Sequence, residues 1–282
     1  MRSDEPGNEA LMPSSPPPVP YGPGHYVTLP GVDLWYIDSG GSGTPVVLLH
    51  ANTGTVTGWQ LQIDALSQAG YRAIAFDRRG WGKSRVNAAT GPQPGSVADD
   101  LEALVQHLNL PRFHLIGIAG GGFVALDYAA WHPERLISMV VAASNGQFHE
   151  KEMDEFSRRI AVPGLEDPKL RIYREVGVAY RAADPEGLAR FAAMEHSARH
   201  PDAPAQPMRT PNTFAKIAQI RLPVLIMTAG ADLLAPPALM HAWSRHLPDK
   251  RHAHVPDAGH SINWEQPQAF NRLVLQHLKE TS

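Results

Sequence analysis

The sequence predicts an α/β domain built on a mostly parallel sheet, covered by helices on both faces and interrupted by a helical insertion. Two observations carry this. Apolar runs rich in β-branched or aromatic residues, PVVLLH (45–50), YRAIAFD (71–77), FHLIGI (113–118), LISMVVAAS (136–144) and PVLIMTAG (223–230), are separated by segments of helical pattern. Continuous apolar strands alternating with helices belong to a parallel sheet buried on both sides. The second is the long interval between the last two runs, where residues 146–217 are helical and broken by prolines. So long an interruption in a compact domain is usually a functional insertion, and it reads as a cap over a site.

The elements follow in order. Residues 1–22 hold no apolar core for a signal peptide, and Pro16, Pro17, Pro18 and Pro20 disfavour a helix, so this stretch reads as a disordered leader. HYVTLP (25–30) and DLWYIDSG (33–40) alternate like two short antiparallel strands hinged at Gly31. Before FHLIGI, Ser96 is placed to cap a helix whose Val97, Leu101, Leu104, Val105 and Leu108 fall on one face. A last strand near HAHVPDAG (252–259) makes eight, and Phe270, Leu273, Val274, His277 and Leu278 mark a closing amphipathic helix. The core is thus expected over 23–145 and 218–282.

Composition narrows the function classes. The chain has 282 residues, 43% of them hydrophobic, enough for one large domain. A net charge of −3 gives no electrostatic ground for a nucleic-acid partner. With no cysteine there is no disulfide, thiolate metal site or cysteine nucleophile. No apolar stretch approaches the roughly 20 residues that cross a bilayer, so a cytoplasmic protein with a small-molecule substrate and no membrane partner is expected. Fourteen histidines show no His-Glu-x-x-His spacing, so no metal is expected, and no cofactor motif is visible. Oligomeric state is not readable from these motifs.

The chemistry concentrates in three segments. HLIGIAGGGFVALDYA is an apolar strand, a sharp glycine-rich turn and a helix. Gly117-Ile118-Ala119-Gly120-Gly121 fits the nucleophile-elbow pattern G-x-S-x-G with alanine at its centre. A phosphate-binding turn is the rival reading, but G-x-G-x-x-G is not matched. In TAGADLLAPP, Asp232 follows the carboxyl end of a strand, where open α/β sheets place their sites. In VPDAGHSINWEQP, His260 follows another strand and completes the order nucleophile, acid, histidine.

With these segments the chain resembles the α/β-hydrolase superfamily from about residue 25 to 280. LLHANTG is similar to its oxyanion loop and FDRRGWGKS to its D-x-R-G-x-G-x-S turn. The resemblance implies the α/β-hydrolase fold, Asp232 as the acid that orients the imidazole, and His260 as general base. It also implies an oxyanion hole from the backbone N–H groups of Asn52 and Gly120, although Ala51 replaces the family's usual glycine. Asp77 is then a loop brace, with Arg78 and Arg79 as its partners or facing solvent, and His50 a support for the oxyanion loop. Trp264 and, in the insertion, His196 are candidate substrate contacts. Glu195 and Arg199 share nearly one helical face with His196, which otherwise reads as a solvated face.

Ala119 cannot form an acyl-enzyme, and loss of a triad nucleophile costs several orders of magnitude in rate. The alanine also excludes the dehalogenase and epoxide-hydrolase branches, which need aspartate there. Three readings stay open. The first is a hydrolase of an ester, lactone or C–C bond whose serine was exchanged for alanine. The second is a serine-free enzyme in which His260 deprotonates water or a carbon acid, as in a lyase or decarboxylase. The third is a non-catalytic ligand-binding paralogue.

Overall fold

The computed structural model describes residues 24–167, 170–203 and 205–282, so the expected leader lies outside the described residues. The strands are β1 (His25–Leu29), β2 (Val32–Asp38), β3 (Pro45–Leu49), β4 (Arg72–Phe76), β5 (Arg85–Val86), β6 (Phe113–Ile118), β7 (Leu136–Ala142), β8 (Val224–Ala229) and β9 (Lys250–Val255). The eight expected strands form one sheet in the order β1-β2-β4-β3-β6-β7-β8-β9, and the two-residue β5 adds a ninth by pairing with β2. β1 and β2 are antiparallel, as their alternating pattern and the positive φ at Gly31 require. From β4 through β3 to β9 every pairing is parallel.

The helices of the core are α1 (Gln60–Gln68), α2 (Val97–His107) and α3 (Gly120–Trp131); α4 (Lys151–Ile160), α5 (Arg171–Glu175), α6 (Val178–Ala183), α7 (Pro185–Ala198) and α8 (Phe214–Ile217) lie between β7 and β8. α9 (Pro237–Ser244), α10 (Ile262–Glu265) and α11 (Pro267–Thr281) complete the chain. Ser96 caps α2 as expected, its side chain accepting the N–H of Asp99. Alternate strand residues divide the core between the two faces: Val47 and Leu49 pack with α2, α3 and α9, while Val46 and Leu48 pack with α1 and α11. α3 carries small and apolar residues nearly all round, which suits a helix held against the sheet on one side and against α2 and α8 on the other.

Because β3, β6, β8 and β9 run the same way, the residues that follow them, His50 to Thr55, Ala119, Asp232 and His260, all gather along one edge of the sheet. Among the described residues, no helix is long and apolar enough to cross a membrane, and no group of three or more His, Asp or Glu is arranged to hold a metal.

Candidate active site

Ala119 stands between β6 and α3 with φ 50° and ψ −115°. That conformation is costly for any residue with a Cβ, and it is held from below. The N–H of Ala119 donates to Ala142 at 3.0 Å, and its carbonyl accepts from Ser144 Oγ at 2.7 Å and from Gly122 N at 3.0 Å. The glycines on either side are sterically required. A Cβ at Gly117 would overlap the carbonyl of Gly121, and one at Gly121 would overlap the carbonyl of Leu49 on the neighbouring strand. This elbow is therefore a strained, tightly packed strand-to-helix turn that presents a methyl group and no hydroxyl. Ser144, fully buried and bonded to the Ala119 carbonyl, does not replace it.

Asp232 and His260 are brought together. His260 Nδ1 lies 3.0 and 2.9 Å from the two carboxylate oxygens of Asp232, and Oδ1 of that aspartate also accepts the N–H groups of Leu234 and Ala235. The loop after β8 thus fixes the carboxylate, and the carboxylate fixes the ring. Burial alone would lower the imidazole pKa, but the charge and hydrogen bond of Asp232, with the Glu175 and Glu265 carboxylates, outweigh it and raise the pKa to about 9. With Nδ1 engaged by Asp232, Nε2 is the ring nitrogen left for proton transfer.

The loop after β3 carries the other candidates. His50 Nε2 accepts the N–H of Arg78 at 3.1 Å, so Nδ1 carries the proton that it donates to the carbonyl of Ala51 at 2.7 Å. Burial, then the charge of Arg78, holds this imidazole well below its ordinary pKa and hence neutral. Asn52 is gripped twice: its carbonyl accepts Trp81 Nε1 at 2.9 Å, and its Oδ1 accepts Arg78 Nη2 at 3.0 Å. Its side chain lies over the α-carbon of Gly120, where any Cβ would collide with it. As the first residue of α3, Gly120 has an N–H with no intrahelical acceptor.

Asp77 is indeed a brace, accepting the N–H groups of Val56 and Lys83, each at 2.8 Å, and burial pushes its pKa to about 6. The expectation for the two arginines fails. Both are buried and neither pairs with Asp77, whose oxygens are taken by backbone. Arg79 forms a buried ion pair with Asp100 at 2.5 Å, and Arg78 turns to the Asn52 loop.

Two recesses flank the elbow. One, about 30 Å³, is lined by Ile118 and His260 together with Ala51, Phe191, Met194 and Trp264. The other, about 130 Å³, is lined by Gly120, Asn52, Arg78, Phe123, Gln206 and Met208 among others. Ala119 is the residue between them in the chain. Trp264 stands at the first recess and meets Phe191 edge-on at 5.6 Å. His196 does not stand there: it is exposed, because α7 turns Phe191 and Met194 inward and leaves His196 off that face. Glu195 pairs with Arg171 at 2.7 Å. The sequence reading missed Glu175, a buried residue of α5 whose carboxylate accepts the hydroxyl of Thr53 at 3.1 Å. Nothing in its local pattern marks it.

This edge, with its elbow, Asp-His pair and glycine-rich helix start, belongs to a hydrolase-type α/β protein. The chain matches the alpha/beta hydrolase family over residues 46–273 and belongs to it. It is 28% identical over 258 residues, covering 87% of this chain and 97% of the relative, to a provisionally named non-heme bromoperoxidase of Mycobacterium tuberculosis. It is 29% identical over 262 residues, 86% of this chain and 90% of the relative, to a 2-hydroxy-6-oxononadienedioate/2-hydroxy-6-oxononatrienedioate hydrolase of Burkholderia vietnamiensis. Among solved structures it is similar to a thermophilic esterase from Thermogutta terrifontis with malate bound, at a TM-score of 0.75 and 27% identity, covering 89% of this chain and 94% of that one. These relatives support a hydrolase-superfamily enzyme acting on small molecules.

Proposed function

We propose that this protein acts on a small carbonyl compound, an ester, lactone or C–C bond beside a carbonyl, without a serine nucleophile. In this reading Asp232 orients His260, His260 Nε2 takes a proton from water that attacks the carbonyl, and the N–H groups of Gly120 and Asn52 steady the oxyanion, whose collapse breaks the scissile bond while His260 returns the proton to the leaving group. Residues 146–217 cap the site, contributing Phe191 and Met194 to its wall. The observation that carries the reading is the Asp232–His260 pair, kept in full beside an elbow that holds its strained backbone but bears only a methyl group.

The raised pKa of His260 favours a second reading of the same pair. An imidazolium at neutral pH is a proton donor, suited to protonating the carbanion or enolate left by decarboxylation, elimination or retro-aldol cleavage. The pH dependence separates the two, since a rate limited by base catalysis rises toward pH 9 and one limited by proton donation falls there.

The test compares the protein with His260→Ala and Ala119→Ser on aryl esters, lactones and β-keto acids, together with a fluorophosphonate label. Serine-free turnover that falls about 10²–10⁴-fold in His260→Ala supports the proposal. Turnover indifferent to His260 overturns it. If only Ala119→Ser is labelled and active, the site is a complete serine hydrolase lacking one oxygen.

A further inference from the structure

The 130 Å³ cavity on the Gly120 side of the elbow contains a charge without a counter-charge. Arg78 is 6% exposed, and among the described residues it forms no ion pair. Nη2 donates to the Ala51 carbonyl at 3.2 Å and to Asn52 Oδ1 at 3.0 Å, the guanidinium lies 4.6 Å from the centre of the Trp81 ring, and Nε has no partner. Neutral acceptors and a π face do not balance a buried cation, and an uncompensated one is expensive. Burial, then Arg199, lowers its pKa to about 10, which leaves it charged at neutral pH.

The surroundings deepen the imbalance. Arg199 lies over the same indole at 5.3 Å, and its Nη2 donates to the Ala203 carbonyl. The carboxylate nearest in sequence, Asp77, is spent on backbone N–H groups. Asp127, on the cavity wall, is already matched by Lys216 Nζ at 2.5 Å, the N–H groups of Arg209 and Thr210, and the Thr210 hydroxyl. Gly120 brings the first turn of the twelve-residue α3, with its positive dipole end, to the same wall. A cavity of this size accepts a group as large as a six-membered ring.

We propose that Arg78 binds a carboxylate of the substrate in this cavity, so that the substrate is a carbonyl compound carrying a carboxylate group. The inference rests on the reading of the site given above and names its substrate class. With Nη2 already engaged by Ala51 and Asn52, the unpartnered Nε–H is a donor left for a ligand, and a charged donor binds a carboxylate more strongly than a neutral amide. A carboxylate held there lies on the Gly120 side of Ala119, with the His260 recess on the Ile118 side.

The test is calorimetric titration of the full chain at low ionic strength with pyruvate, 4-oxopentanoate and benzoate, each against its amide. At least one carboxylate should bind tenfold or more tightly than its amide. Arg78→Gln should remove that preference, and Arg78→Lys should keep part of it. Met208→Trp, which fills the cavity while leaving the Arg78 hydrogen bonds in place, should abolish binding, and it decides the matter if Arg78→Gln does not fold. Equal binding of acids and amides, no binding of any of the three acids, or full carboxylate affinity in Arg78→Gln or Met208→Trp overturns the proposal. The two readings fail separately. Arg78-dependent binding without turnover of any substrate removes the catalytic reading alone, whereas His260-dependent turnover with no preference for acids removes this one alone.

Discussion

The carbonyl of Glu175 accepts the N–H of Ser261 at 2.9 Å, so the residue next to His260 hangs from α5 in the segment between β7 and β8. The Glu175 side chain reaches on to Thr53, and its charge favours the protonated ring of His260. Glu175→Gln keeps the main-chain bond but removes that charge. The His260 pKa should therefore fall below about 9, read by NMR titration of the imidazole. An unchanged titration would show that Glu175 is only a tether.

The same pair predicts how stability depends on pH. The folded-state pKa of His260 is raised to about 9, above the roughly 6.5 of an unfolded histidine. Its contribution is thus fully present below pH 6.5 and is lost as pH rises through 9. Denaturant unfolding between pH 6.5 and 9.5 should show falling stability, and Asp232→Asn should flatten that slope.

Gly121→Ala tests the packing under the elbow. The new methyl group meets the Leu49 carbonyl on β3, which is backbone and cannot swing aside. Overpacking of this kind costs about 1–3 kcal/mol. The melting temperature should drop by several degrees, whereas Gly40→Ala, where a Cβ meets nothing but φ is positive, isolates the cost of backbone conformation alone.

Arg79 and Asp100 test the second arginine of the DRRG turn. Their side chains are 2% and 3% exposed, and Arg79 also donates to the carbonyls of Pro30 and Pro92. Asp100→Asn leaves a buried cation short of its partner and should cost about 3–5 kcal/mol in unfolding free energy. The double change Arg79→Met, Asp100→Leu should cost less than the single one, because no stranded charge remains.

Much of the fold was legible because each buried strand is an unbroken apolar run and the glycines of the elbow have steric reasons to be where they are. Ala119, Asp232 and His260 could be placed from motif order alone, since each follows a strand of the same direction. β5 was not legible: two exposed residues carry no periodic signal. Neither was the phase of α7, where a single residue separates the inward Met194 from the outward His196 and only tertiary contact sets the rotation. Arg78 was in plain view, but a basic residue after a strand reads as solvated until the structure shows what surrounds it.

The strand order has a consequence for how the protein is made. β8 and β9, which lead to Asp232 and His260, are the last strands synthesised and the last at their edge of the sheet. Until they arrive, β7 presents a long apolar edge with open backbone groups, the kind of surface that recruits other chains. The acid and the histidine therefore join the site in the same event that seals this edge. A ribosome-bound or truncated chain ending before residue 224 should be sticky and lack the Asp-His pair together.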